Sequence, residues 1–133
     1  MVTISSIARA RRFRELVALS LNVAGFDSAR PRPDKLSEMV AGGGDILGLP
    51  ESVIVRTSAS SFDAADLLRE ARQLADERGG DTVPLGVQWR PSKSSSEAFV
   101  LTDLRGAAVL MKALAAQENE AALTDQLEEL EDG

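Results

Sequence analysis

The 133-residue sequence contains no cysteine and no histidine. Their absence excludes disulfides, thiolate or imidazole zinc sites, and every catalytic scheme built on a Cys or His nucleophile or base. Whatever chemistry the chain performs must run on carboxylates, Lys, Arg, Ser or Thr. Long apolar runs are missing too, and none approaches the roughly 20 residues needed to span a bilayer. The early arginines Arg9, Arg11, Arg12 and Arg14 are not followed by a signal-type apolar block with a small-residue cleavage site. The expectation is therefore a cytoplasmic or virion protein that is not secreted by a signal peptide and makes no membrane contact.

What is present is globular in composition, with 44% hydrophobic and 27% charged residues. This length carries one core, and the sequence divides into a body over residues 1–116 and an acidic amphipathic tail over residues 117–133. The net charge of −6 is unevenly placed. The tail holds seven acids (Glu118, Glu120, Asp125, Glu128, Glu129, Glu131, Asp132) and no Lys or Arg, so removing those seven negative charges from −6 leaves +1 on the body. Within residues 1–34, six arginines (Arg9, Arg11, Arg12, Arg14, Arg30, Arg32) face three acids, Glu15, Asp27 and Asp34, a local excess of +3.

Periodicity predicts a first helix over Thr3 to Ala24, with Ile4, Ile7, Phe13, Leu16, Val17, Val23 and Ala24 inward and Gly25 as its stop. Pro31 and Pro33 restrict Phe26 to Asp34 to an edge strand or extended loop. One helical turn is expected over Lys35 to Val40, then a hinge at Gly42-Gly43-Gly44. Asp45 to Leu49 and Ser52 to Thr57, separated by Pro50-Glu51, read as a hairpin. A second helix is expected from Phe62 to Arg78, capped by Ser60 or Ser61 and burying Phe62, Ala65, Leu68, Ala71 or Leu74, and Ala75. Val83 to Trp89 and Ala98 to Leu101 read as strands joined by the polar loop Arg90 to Glu97. A last helix begins at Asp103 with Thr102 as its cap. Its first part can pack through Leu104, Ala107, Ala108, Met111 and Leu114, and its second carries the stripe Leu123, Leu127, Leu130. The fold class is α/β, a small mixed sheet flanked by helices with a C-terminal helical extension.

The segment Gly44-Asp45-Ile46-Leu47-Gly48-Leu49-Pro50, followed by the apolar strand Ser52 to Thr57 and a helix, resembles the central motif of the PD-(D/E)XK nuclease superfamily. More narrowly it is similar to the Holliday-junction-resolvase-like proteins of bacteriophages and actinobacteria. Pro84 to Arg90, Glu97 to Thr102 and the helix from Leu104 resemble the closing elements of that family, and the match covers most of residues 9–115. The resemblance implies a restriction-endonuclease-like α-β-β-β-α-β core, Asp45 as a metal-binding acid, and Glu15 as an acid contributed by the first helix. In such a site a divalent cation such as Mg²⁺ sits between an Asp and a Glu while a Lys two residues on orients the attacking water. Here Ile54 stands where the Glu belongs and Arg56 where the Lys belongs. Losing a carboxylate removes an oxygen ligand and a charge, and Arg keeps a positive charge without serving readily as a proton acceptor.

The substitutions point to a non-catalytic protein with no cofactor. Its expected role is that of a structural or interaction component, in a phage particle's head-completion, connector or neck region. Leu123, Leu127 and Leu130 are the expected contact to a protein partner or a sister subunit. Two alternatives stay open. One is a Mg²⁺-dependent structure-selective DNA endonuclease with a rearranged site, using Asp45, Glu15 and Glu70, with Arg56 beside them. The other is a non-cutting DNA binder using Arg9, Arg11, Arg12, Arg14, Arg30 and Arg32. Asp45 also has a purely structural reading, closing the Gly-rich turn through backbone N–H groups, and Glu15 one as a helix-surface acid paired with Arg11 or Arg12. The Gly42-Gly43-Gly44 run lacks the Lys-Ser/Thr of a phosphate-binding loop.

Overall fold

The computed structural model describes residues 4–33 and 44–132. The expected turn at Lys35 to Val40, together with Gly42 and Gly43, lies outside them. The elements in chain order are α1 (Ile4–Val23), β1 (Arg30–Pro31), β2 (Ile46–Leu47), β3 (Val53–Ser58), α2 (Ala64–Arg78), β4 (Val83–Gln88), a 3-10 turn (Ser95–Glu97), β5 (Phe99–Leu101) and α3 (Leu104–Asp132). The fold is mixed α/β. A three-stranded sheet, β3-β4-β5, pairs β3 with β4 in parallel and β4 with β5 antiparallel, beside a separate antiparallel pair β1-β2.

The expected hairpin between residues 45–49 and 52–57 does not form. β2 pairs instead with β1, Arg30 opposite Leu47 and Pro31 opposite Ile46. The chain turns away at Gly48, whose φ of +78° is left-handed and whose Cβ, if present, would collide with the Ser28 carbonyl. β3 spends one edge on β4, with α2 as the crossover that two parallel strands require. Before β2 the Asp45 N–H donates to the Val55 carbonyl of β3 at 2.7 Å.

Alternation along the strands sorts the core into two layers. Val55 and Val87 join Phe13, Val17 and Ala18 of α1, with Ala29, Ile46 and Ala59, in one cluster. On the opposite face Gly86 lies under Leu67 of α2, where an added Cβ would come within 2.8 Å of the Leu67 side chain. Ile54, at 2% exposure, is among the most buried side chains of the chain. Pro84 in the central strand costs no ladder bond. Val83 N–H donates to Ser52 O on the β3 side, so position 84 faces the side where β5, which pairs only from Gly86 onward, does not reach.

The helix ends differ from expectation in instructive ways. Asp63, not Ser60 or Ser61, caps α2, its Oδ1 accepting the Asp66 N–H at 3.1 Å. Phe62 stays outside the helix and packs its ring 5.8 Å from Phe99. The buried stripe of α2 keeps the expected Ala71 and Ala75 but has Leu67 in place of the expected Ala65 and Leu68. In α1 only the middle is covered by the sheet and β1-β2, so Ile7 and Val23 stand exposed. The end of α1 is sealed by Asn22, whose Nδ2 donates to the carbonyls of Phe26 at 2.8 Å and Ala29 at 2.9 Å.

Asp103 rather than Thr102 caps α3. Its Oδ1 accepts Gly106 N–H at 2.7 Å, and its two oxygens receive the fork of Arg72 from α2, Nε at 2.7 Å and Nη2 at 2.6 Å. α3 packs on β4 only through its first turns. Every residue from 110 to 131 is exposed, and Leu104, Met111 and Leu114 face solvent instead of the sheet. Length explains this: a 29-residue helix is about 44 Å long, while a six-residue strand spans only about 20 Å. α3 runs unbroken across residues 116 and 117. Among the described residues no helix is long and apolar enough to cross a membrane.

Two predictions follow from these contacts. The bidentate bond from Arg72 holds the Asp103 carboxyl below its ordinary pKa, opposed by partial burial and helped by the Gly106 N–H. A lowered folded-state pKa contributes stability that is present above the unfolded value and lost as pH falls through the folded one. Asp103→Ala should therefore cost about 2 kcal/mol near pH 7, from lost cap and charged hydrogen bonds. The gap to the parent, measured by urea unfolding, should shrink below about pH 4. Gly44→Ala should cost about 1 to 3 kcal/mol, because its Cβ would sit 2.5 Å from the Val55 carbonyl oxygen and 2.9 Å from its nitrogen; a thermal midpoint equal to the parent's would contradict the close approach.

Candidate functional site

Gly44 allows the backbone to lie directly against β3, and the next residue, Asp45, is thereby delivered to the strand with its side chain 8% exposed. Its carboxylate reaches along β3 rather than out to solvent. Oδ2 accepts the Thr57 N–H at 2.6 Å and the Thr57 hydroxyl at 3.1 Å, and Oδ1 accepts Arg56 Nη1 at 3.1 Å. The Asp45 carbonyl takes the Arg32 N–H at 2.8 Å, which ties the chain after β1 to the same point.

Arg56 belongs to the face of β3 that meets α2, and its Nε donates to Glu70 Oε2 at 3.1 Å. One guanidinium thus bridges the buried Asp45 and the half-exposed Glu70. Burial alone would lower the Arg56 pKa, but the two adjacent carboxylates outweigh it and hold the pKa above its ordinary value. Arg56 is therefore a fixed cation, unable to serve as a base.

Arg56 and Glu70, but not Asp45, line an open cleft of about 550 Å³ between α1, the end of β3 and α2, to which Arg9, Thr57, Ser58 and Ser60 also contribute. Arg9 places its guanidinium 5.8 Å from the Trp89 ring centroid. Of the four acid and base candidates, the structure brings together Asp45, Arg56 and Glu70 and leaves Glu15 out. Glu15 is bound within α1 by Arg12, Nη1 to Oε2 at 3.2 Å, with both side chains exposed. The six arginines do not form one patch. Arg9 lines the cleft, Arg11 and Arg12 lie on the exposed side of α1, Arg14 is half-buried on the same helix, and Arg30 and Arg32 belong to the β1 region. Leu123, Leu127 and Leu130 are exposed at 59%, 61% and 77% on the outer half of α3.

Thr57 is the site residue that sequence reasoning passes over. The search for metal ligands looks for acids, whereas the residue that fixes Asp45 is a hydroxyl with its own N–H, placed directly after Arg56. Serines at 58 and 60 likewise carry no signal until β3 and the start of α2 are folded together.

The chemistry of this arrangement is restrictive. A divalent cation needs several free oxygen ligands, yet three donors already occupy the Asp45 carboxylate and the bridging cation is the Arg56 side chain itself. Among the described residues there is no group of three or more acids that could hold a metal ion. No protein-family model, no curated protein and no solved structure matches the chain.

Proposed function

We propose that the chain is a non-catalytic protein on a resolvase-like nuclease fold, acting as a structural or interaction component. The observation that carries this reading is the Arg56 guanidinium held between Asp45 and Glu70, so that the acid the resemblance makes a metal ligand already has an internal cation. An internal cation satisfies the carboxylates permanently and repels a mobile one, so the site works as a cross-link between β2, β3 and α2. Ile54 adds to the argument. It is buried against the interior at 2% exposure, and a carboxylate there would have to be desolvated. The element order α1-β1-β2-β3-α2-β4 supports the finer assignment to a restriction-endonuclease-like core. The likeness of the segment around Asp45 to phage proteins supports a place in a virion, at a head-completion, connector or neck position. The unpacked outer half of α3 supports a partner-binding role.

Two measurements test this proposal. Incubated with branched DNA and Mg²⁺ or Mn²⁺, the protein should leave the DNA intact; cleavage that Asp45→Ala abolishes would overturn the reading in favour of a rearranged metal site. Arg56→Gln should lower stability by about 1 to 2 kcal/mol, because Asp45 and Glu70 lose their charged hydrogen bonds. It should also make the thermal midpoint rise on adding millimolar Mn²⁺, since two carboxylates then face each other without a cation. The parent should show no such rise. A parent midpoint that climbs with Mn²⁺ as steeply as the variant's would mean that Arg56 does not fill the site.

A further inference from the structure

β4 ends on a polar side chain in a position that the interior would fill with an apolar one. Gln88 lies on the same face of the strand as Gly86, toward α2, and is 2% exposed. Its Nε2 donates to the Ser60 carbonyl at 2.8 Å and to the Trp89 carbonyl at 3.2 Å, which fixes the amide the right way round, since a flip would set Oε1 against two acceptors. Oε1 itself is buried and accepts no hydrogen bond from the described residues. A buried acceptor left without a donor is costly, so its presence calls for a donor from outside the chain.

Gln88 is the floor of an open recess of about 330 Å³ at this end of the sheet. Phe99, its register partner on β5, forms one wall with Phe62, and Trp89 forms another. Arg90 and Lys93 stand at the rim as the two ends of one turn, closed by the Lys93 N–H on the Arg90 carbonyl at 3.2 Å. Pro91 takes the second position of that turn and Ser92 the third, with a φ of +64° that a serine adopts only at a cost. Neither cation is spent on a carboxylate. Arg90 donates to the Glu97 carbonyl at 3.2 Å and lies 4.4 Å from the Phe99 ring centroid, and Lys93 is exposed with no ion pair among the described residues. No acid among the described residues lines the recess, and the nearby Glu97 carboxylate is turned to the Ser94 N–H and hydroxyl. A molecule of net charge −6 thus keeps one recess that is both aromatic and positive.

We propose that this recess binds a single nucleotide. The base stacks against Trp89 and donates an N–H from its pairing edge to Gln88 Oε1, and the phosphate lies at Arg90 and Lys93. Phe62, outside α2 and 55% exposed, is the wall that moves to let the base edge reach Oε1. The recess shares no residue with the cleft at Arg56, so this inference stands apart from the non-catalytic reading.

Trp89 is the sole tryptophan and the chain has no tyrosine, so fluorescence excited on the red side of the tryptophan band reports this recess alone. Titrated with the monophosphates of adenosine, guanosine, cytidine and uridine, the full chain should show saturable quenching by at least one, half complete below about 1 mM. The matching nucleoside and inorganic phosphate alone should each need at least about ten times more. Lys93→Glu, in the exposed turn, should weaken the mononucleotide about tenfold and leave the nucleoside unchanged, a split that a merely structural disturbance of Trp89 would not produce. Gln88→Met should weaken both; if circular dichroism shows that it misfolds, Lys93→Glu decides alone. A single-stranded oligonucleotide separates the two sources of this chemistry. Binding about tenfold tighter per nucleotide than the mononucleotide assigns the recess to a strand, and equal or weaker binding assigns it to a free nucleotide. No saturable quenching by any of the four up to about 10 mM would overturn the proposal. So would quenching that inorganic phosphate reproduces, or a Lys93→Glu variant that titrates like the parent.

Discussion

The Asp45 carboxylate is the contact through which the pieces of this small fold are held in register. It receives a backbone N–H and a hydroxyl from Thr57 and a guanidinium N–H from Arg56, while its own main chain binds Val55 on one side and Arg32 on the other. β1 and β2 are two residues each and have almost no ladder of their own. Their attachment to the three-stranded sheet depends on this one residue and on the burial of Ile46 and Ala29 beneath α1. A charged acceptor suits the task because hydrogen bonds to an ionised carboxylate are stronger than neutral ones. The cost of burying the charge is offset by Arg56, which in turn reaches Glu70 and so extends the same network to α2.

Much of the architecture is legible in the sequence because it rests on local pattern. The three helices, the strands of the main sheet and the stops at Gly25 and Gly79 follow from apolar spacing and from glycine placement. What local pattern does not contain is pairing. Residues 45–49 and 52–57 are adjacent runs and look like a hairpin, yet partner choice depends on which edge α2 brings β4 to and on the bend at Gly48. The caps show the same limit. Ser60, Ser61 and Thr102 have the right chemistry, but Asp63 and Asp103 are the residues whose side chains accept the first free N–H groups. The expected packing of α3 through Met111 and Leu114 fails because a spacing pattern carries no information about where the sheet beneath it ends.

The site was legible in part. Asp45 and Arg56 are picked out by the resemblance of their segment to the nuclease motif, and Glu70 as an acid on the helix that follows. Their mutual neutralisation could not be read, because Glu70 is 14 residues from Arg56 and meets it only through the crossover geometry of β3 and α2. For Glu15 the sequence offers two uses, a metal-site acid and a helix-surface partner of Arg11 or Arg12, and the structure shows the second: Arg12, three residues back on the same helix, binds it.

α3 also has a mechanical consequence. It is held at one end, by the Asp103 cap, the Arg72 fork and the packing of its first turns on β4, and is unsupported beyond. Such an element behaves as a cantilever, and a tilt of about 10° at its root would carry its tip through about 8 Å for a rod of this length. A small tilt at the root is thereby converted into a displacement comparable to the spacing of two packed helices. The position of the far end is then set by the cap, the ion pair and the first-turn packing at the near end.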